Sequence, residues 1–342
     1  MQKNKDALRF GVIGCGGMAT LVHVPNMANM ENAETVAYCD LDKAKAQNLL
    51  KTHGGGYVTK DADRIFKDKT INGVLIQVGP SLHPKLVQAA AKAGKHIFVE
   101  KPIAIELKDA LETVRVVEQS GVKFIFGVCN RLAPAVKLAK RMCPRPCYSY
   151  CQCSDSITHQ AVHNLDLAVN LFHDSPLELV YASGGRFWET KSDAHLPADS
   201  FTALLTFADK STHTYLQHGN SFNPMLKKYH YQLFGRDCCV YLAQRFKECH
   251  LMKTPDKAEC SWIFNGSDTD RGPFGYMGHY DEIKELVDCI LNGGNGTMTV
   301  RDAAYVLAVE KAILYSLHLR KAIDFKMFLR EHNADFLLKS RR

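Results

Sequence analysis

The stretch that most limits what this chain can become is RFGVIGCGGMA, residues 9–19, an apolar run that meets Gly14, Gly16 and Ala19 in quick succession. A strand that ends in the spacing G-x-G-x-x-A suits one task in particular. The first glycine makes a tight turn, the second lets backbone approach a pyrophosphate, and the third small residue lets the next helix pack against the strand. The N–H groups that open that helix point at the phosphates. Cys15, Gly17 and Met18 complete the turn, so Gly14 to Ala19 are all candidate cofactor contacts.

Glycine turns also arise for purely structural reasons, and the rhythm that follows carries the reading further. The next apolar segment, ETVAYCD, ends at Asp40, 26 residues beyond Gly14, where an acid can accept both ribose hydroxyls of an adenosine. Leu41 follows it rather than an arginine, so a 2′-phosphate would meet negative charge without compensation. NAD is therefore expected over NADP. Helical LDKAKAQNLLKTH, strand GVLIQVG, helical HPKLVQAAAKAG, strand HIFVEKP, helical LKDALETVRVVEQSG and strand KFIFGVC come next. Strands alternating with helices imply a parallel sheet wrapped on both faces, because parallel neighbours need crossover connections. A Rossmann domain over residues 1–128 is the expectation. Ligands on such sheets bind outside the carboxyl ends of the strands. Gly79, His83, Glu100 and Lys101 follow strand ends and join the cofactor candidates.

At 342 residues the chain exceeds one comfortable core, so residues 129–342 should form a second domain. Hydrophobic residues make up 46% and charged residues 23%, without an apolar run long enough for a bilayer. MQKNKDALRF is followed by no signal-like apolar segment, and a cytoplasmic location is expected. The net charge of +7 arises from 43 basic and 36 acidic residues that are interspersed, which argues against nucleic-acid binding. Twelve cysteines in such a chain read as reduced thiols. CPRPCYSYCQC, residues 143–153, lacks the paired short spacings of zinc sites. It reads as a strand with Cys147, Ser149, Cys151 and Cys153 on one small-residue face and Tyr148, Tyr150 and Gln152 on the other, and no metal is expected.

In the second half, ITHQAVHNLDLAVNLF, residues 157–172, sets His159, His163, Asp166 and Asn170 in one stripe of an ideal helix. Ala161, Val162, Leu165, Ala168, Val169 and Phe172 form a broad apolar face away from it. The stripe faces something wet: bulk water, a metal, or a substrate that exchanges a proton. No general-base glutamate follows His159 as in H-E-x-x-H, which weighs against the metal. SFTALLTFADKSTHTYLQHG and KKYHYQLFGRDCCVYLA read as antiparallel strands, and Tyr215, Tyr229 and Tyr231 suit either a core or an association face. RGPFGYMGHYDEIKELVDCIL is a glycine-rich loop before a helix, and VRDAAYVLAVEKAILYSLHLRKA has the spacing of a last long helix.

Glu100-Lys101-Pro102 after an apolar strand, together with the glycine turn, His23-Val24-Pro25, His83 and GVCNRLAP with its Arg131, resembles the glucose–fructose oxidoreductase/inositol dehydrogenase (Gfo/Idh/MocA) family over nearly the whole chain. The resemblance implies an α/β Rossmann domain followed by an α+β domain with a large, open, predominantly antiparallel sheet. One sheet face would join copies into a homodimer or homotetramer, and the last long helix would return to the first domain. It implies that Lys101 lies beside the nicotinamide and the substrate, with a cis bond to Pro102, and that His163 is the catalytic histidine. Asp166 matches the later acid of the family's D-x-x-x-H-x-x-D, whereas His159 stands where an aspartate is usual. Arg131, His159, Asp166, His279 and Tyr280 are then candidate substrate contacts. The activity implied is NAD-dependent oxidation or reduction of a secondary alcohol on a carbohydrate-like small molecule. Relatives that use NAD transiently as glycosidases or lyases, or that sense nucleotides without catalysis, are the alternatives.

Overall fold

Six short apolar runs, β1 (Leu8–Ile13), β2 (Ala33–Cys39), β3 (Tyr57–Thr59), β4 (Gly73–Ile76), β5 (His96–Glu100) and β6 (Phe124–Gly127), pair in parallel in the order β3-β2-β1-β4-β5-β6. This is the computed structural model of the chain, and it describes residues 6–154, 157–187, 196–219, 229–254, 257–265 and 275–340. The strand order reverses direction beside β1, which is where doubly wound sheets hold dinucleotides. Crossovers are made by α1 (Val24–Ala28), α2 (Lys43–His53), α3 (Ala62–Lys67), α4 (His83–Lys92) and α5 (Leu107–Ser120). Asp42 and Asp61 cap α2 and α3 by accepting the N–H groups of Ala44 and Asp63. Strand β3 and helix α3 are additions to the expected rhythm. YVT is too short, and ADRIFK too polar, to declare themselves by periodicity.

Among the described residues the second sheet has nine strands: β7 (Tyr148–Ser154), β8 (Leu177–Gly185), β9 (Ser200–Phe207), β10 (Thr212–His218), β11 (Tyr229–Phe234), β12 (Cys239–Ala243), β13 (Glu248–Thr254), β14 (Lys257–Ile263) and β15 (Ile323–Asp324). Their order is β14-β13-β12-β11-β7-β10-β9-β8-β15, antiparallel throughout except for the parallel pair β7/β10. On β7 the small residues Ser149, Cys151 and Cys153 are buried while Tyr148 and Tyr150 are partly exposed, but Cys147 just before the strand is exposed and Gln152 is buried, so the two-faced alternation holds only in part. Tyr215, Tyr229 and Tyr231 are all buried and belong to the core rather than to an open face. Preceding β7, α6 (Pro134–Met142) starts at a proline, which is preset for the first helical turn. The histidine segment is one continuous helix in three registers: π-helical Ile157–Ala161, α7 (Val162–Asp166) and π-helical Leu167–Phe172.

The chain divides into two compact units, residues 1–129 with 266–303, and residues 130–265 with 304–342. A single cut at residue 128 misses the return of the chain to the first unit. There α8 (His279–Asn292) packs on β5 and β6 through a face that buries Ile283, Leu286 and Val287. The loop residues 271–274 before it lie outside the described residues. The last long helix, α9 (Val300–Leu319), lies in the second unit from Ala304 onward, together with α10 (Phe325–Glu331). So α8 supplies the returning helix, joined by the first turn of α9, where Arg301 pairs with Glu118 of α5. Among the described residues, no helix is long and apolar enough to cross a membrane.

Candidate active site

In the first unit the glycine turn is built around a steric necessity. Gly14 has φ +93°, and a Cβ there would lie 2.5 Å from the carbonyl oxygen of Gln77. Gly16 and Gly17 differ: a Cβ on either would enter open space with no protein atom within 4 Å, so the turn leaves room where a pyrophosphate would approach. Ala19 is fully buried among Val12, Val24 and Tyr38, which is the close helix–strand packing expected of the third small residue. Asp40, just past β2, accepts the N–H of Cys15 at 2.8 Å and that of Asp42 at 2.8 Å. Its carboxylate is thus tied to the glycine turn itself, and each oxygen keeps a further lone pair for a hydroxyl. Leu41 beside it is 79% exposed. The Cys15 thiol is pushed up to about 12 by burial and by the Asp40 charge, so Cys15 contributes backbone rather than thiolate chemistry.

These differences predict different failures. Gly14→Ala should destabilise the first unit by about 3 kcal/mol through strain and collision. Gly16→Ala should change stability by less than about 0.5 kcal/mol while weakening NAD binding roughly tenfold or more, because the added methyl fills ligand space. Thermal melts and a fluorescence titration with NADH separate the two effects; equal destabilisation by both substitutions would contradict this assignment.

Glu100 and Lys101 stand at the carboxyl end of β5, on the sheet edge that also carries Gly14, Asp40 and Gly79. The Lys101–Pro102 peptide bond is cis. Its surroundings are held from both sides. The Glu100 carboxylate accepts the Lys101 N–H at 3.2 Å and lies 2.7 Å from His23 Nε2, while His83 Nδ1 lies 2.6 Å from the Pro102 carbonyl and Nε2 3.0 Å from that of Val78. His83 has no exposed surface, so it cannot touch a bound cofactor without moving; it positions the proline loop. Burial pushes its pKa down, against the two carbonyls and the Glu100 charge, which favour a charged ring. For Glu100 burial opposes ionisation, but His23, then Lys101 and His279, outweigh it and hold the carboxyl well below the usual range.

Behind His23 lies a second layer. Glu282 Oε1 is 4.0 Å from His23 Nδ1 and 3.0 Å from His279 Nδ1, and His279 Nε2 is 3.6 Å from Cys129 Sγ. His23, His279 and Glu282 bring donor atoms within 4.8 Å of one another. Both nitrogens of His279 therefore face protein partners, a setting that suits positioning better than substrate contact, while Tyr280 next to it is half-buried. Glu282 and Cys129 were not singled out from the sequence. The spacing of His279 and Glu282, three residues apart on one helix face, was the available signal.

In the second unit, Asp166 is fully buried and forms a two-point ion pair with Arg131, Nε to Oδ2 at 2.5 Å and Nη2 to Oδ1 at 2.5 Å. Asn170 Nδ2 donates to the same carboxylate at 2.7 Å. Arg131 and Asp166 are thus each other's partners rather than two open substrate contacts. The stripe is also not a solvated face, since His163 is 7% exposed. His163 stands on the α-helical turn between the two π segments, with its ring 6.1 Å from that of Tyr229. Such π turns widen a helix locally and recur at functional sites. The side chain of His159 lies outside the described residues.

The same unit contains a chain of polar groups, buried from Ser211 inward, whose proton directions can be worked out. Asp209 Oδ1 can only accept, so Ser211 Oγ donates to it at 2.7 Å. Ser211 then accepts from His173 Nδ1 at 2.9 Å, His173 Nε2 accepts from Ser149 Oγ at 2.7 Å, Ser149 accepts from His213 Nδ1 at 2.7 Å, and His213 Nε2 accepts from the Cys151 thiol at 3.4 Å. Both rings are neutral in this chain. Burial agrees, pushing His173 down to about 4 and His213 well below its ordinary value. The unfolded chain binds protons below its ordinary histidine value of 6.5 that the folded rings refuse. Stability therefore falls as pH drops from 6.5 toward 4, on the order of 3 kcal/mol from His173 alone, and is unaffected by these groups above 6.5. Denaturant midpoints measured from pH 7.5 to 4.5 should begin to fall near pH 6.5, above the carboxylate range; a flat profile down to pH 5 would contradict the assignment.

A parallel sheet in the order 3-2-1-4-5-6 with a glycine turn and acid at the reversal defines a Rossmann dinucleotide-binding unit. Residues 8–128 match the family described as "Oxidoreductase family, NAD-binding Rossmann fold" (GFO_IDH_MocA), so the Rossmann unit is of the Gfo/Idh/MocA kind. It is 30% identical over 135 residues to scyllo-inositol 2-dehydrogenase (NAD(+)) of Bacillus subtilis, covering 39% of each chain. To myo-inositol 2-dehydrogenase of Thermotoga maritima it is 29% identical over 124 residues, 36% of this chain and 37% of that protein. The matched stretch is thus well under half the length of these relatives. An NAD binding oxidoreductase from Klebsiella pneumoniae superposes with a TM-score of 0.77 at 19% identity, over 93% of this chain and 99% of that one. At that identity the likeness shows the fold alone.

Proposed function

We propose that the protein is an NAD-dependent oxidoreductase that oxidises or reduces a secondary alcohol of a polyol, sugar or sugar derivative. The observation that carries this reading is the shared sheet edge of the first unit. The open glycine turn, Asp40 bound to that turn, and Lys101 held by Glu100 all stand there. When bound, NAD supplies the hydride acceptor. Asp40 and Gly16 would hold its adenosine and pyrophosphate ends, and the exposed Leu41, with no cation next to Asp40 in sequence, favours NAD over NADP. Lys101 donates to the substrate hydroxyl, and His163 takes the hydroxyl proton as hydride leaves the adjoining carbon. Arg131 and Asp166 hold the helix turn that carries His163, and Tyr280 and His159 remain the candidates for substrate selectivity. The inositol dehydrogenases among the relatives support a cyclic polyol as the first substrate to try. A homodimer or homotetramer formed through the nine-stranded sheet completes the reading.

The test is a panel of inositols, sugars and sugar acids with NAD+ and with NADP+, followed at 340 nm. Reduction of NAD+ in preference to NADP+ by at least one polyol is the expected result. Product released from a glycoside without net NADH would instead favour transient oxidation. Tight NAD binding with no turnover across the panel would overturn the enzymatic reading.

A further inference from the structure

Four of the twelve cysteines meet where the end of α6 abuts the turn between β11 and β12. Cys143 caps α6, its N–H donating to Ala139 O at 2.9 Å. After Pro144-Arg145-Pro146 comes Cys147, just before β7, whose N–H donates to Phe234 O at 2.8 Å and whose thiol points at the same oxygen at 3.1 Å. The β11–β12 turn, Gly235 to Cys238, is closed by Gly235 N–H to Cys238 O at 2.8 Å. Gly235 leaves a notch there. A Cβ on it would sit 3.1 Å from Cys143 Sγ and 3.2 Å from Cys238 Sγ, so both sulfurs crowd one point, and Cys238 Sγ also reaches Met142 O at 3.6 Å. Cys143 is buried, Cys238 is half-buried, and Cys147 is exposed.

We propose that Cys143 and Cys238 are a redox-responsive thiol pair that closes to a disulfide when the protein meets a peroxide, stapling the end of α6 to the β11–β12 turn. With a peroxide, the Cys238 thiolate attacks oxygen: an S–O bond forms, the O–O bond breaks, and the departing hydroxide takes up a proton as water. The Cys143 thiolate, its proton lost to solvent, then attacks that sulfur. An S–S bond forms and the S–O bond breaks, releasing a second water. Two thiols are oxidised and one peroxide is reduced. Burial first, then the neighbouring thiols, pushes the Cys143 thiol up to about 12, so closure is slow near neutrality and quickens with rising pH. The two cysteines are distant in sequence, and a disulfide that closes a long loop removes much of the unfolded chain's freedom.

The experiment treats the full-length protein with hydrogen peroxide, caps the remaining thiols with iodoacetamide, and maps the tryptic digest by mass spectrometry. Cys143 shares a tryptic peptide with Cys147, Cys151 and Cys153, and Cys238 shares one with Cys239, so the Cys147→Ser/Cys239→Ser variant, read together with Cys143→Ser, decides which sulfurs join. The expected result is loss of two thiols and a cross-linked peptide pair in both the native chain and this double variant. The cross-link should be absent in Cys238→Ser and reversed by dithiothreitol, and oxidation should raise the melting midpoint of the native chain but not of Cys238→Ser. A cross-link that persists in Cys143→Ser overturns the proposal. So does oxidation confined to Cys147, or stoichiometric zinc that shields the cluster.

Discussion

His163→Ala is expected to lower kcat by roughly a hundredfold to ten-thousandfold while leaving the NAD dissociation constant within about a factor of two, the range for loss of a general acid–base group. The prediction follows from position. His163 is held on the α-helical turn between two π segments, and Asp166, three residues on, is locked to Arg131. Lys101→Ala should cause a comparable loss, and the double variant should be little worse than either single one, because groups that act on one transition state are not additive. Single-turnover rates and NADH titrations check this. A His163→Ala enzyme with normal kcat would remove the histidine from the chemistry. Loss of NAD binding instead of turnover would make its role structural.

Asp166→Ala should be the most destabilising single change in the second unit, about 3–5 kcal/mol, because it strands the Arg131 guanidinium in a site where both partners are nearly sealed from water. The second unit's melting transition should fall by roughly 10 °C. Attraction between buried charges is offset by their desolvation, so Arg131→Met with Asp166→Leu should recover most of the lost stability. Activity should remain low in that pair, since the Asn170 amide also loses its acceptor and the His163 turn loses its register. Recovery of both stability and activity would show that Arg131 and Asp166 contribute packing alone.

The legible parts of the molecule were those where local chemistry and global fold agree. Gly14 needs its positive φ, Ala19 its close packing and Asp40 its place past β2, and each of these demands leaves a residue type at a fixed spacing. The alternation of strands and helices was readable for the same reason, apart from β3 and α3, which are too short to show a period. Less legible was which polar residues would find one another. Arg131 and Asp166 were each recognised, yet nothing local says that they pair across 35 positions; that is a tertiary fact. His83 looked like a loop residue facing a ligand, whereas two backbone carbonyls take up its ring. On the helix 157–172 the apolar face is buried as its repeat implies, but the repeat does not say that His163 and Asp166 on the polar stripe are buried as well. The return of α8 to the first unit was invisible for a simpler reason: an amphipathic helix states that it has an apolar face, not which sheet will cover it.

The proposed hydride transfer from a substrate carbon to the nicotinamide is tested most directly by following the hydrogen. Polyols deuterated at their carbinol carbons are incubated with the protein and NAD+, and the nicotinamide is isolated and examined by NMR. Deuterium at C4 of the nicotinamide ring, with turnover of the deuterated substrate slowed about two- to fivefold and transfer lost in His163→Ala, is the predicted result. NAD bound by the protein yet free of deuterium, across polyols, sugars and sugar acids alike, would contradict it.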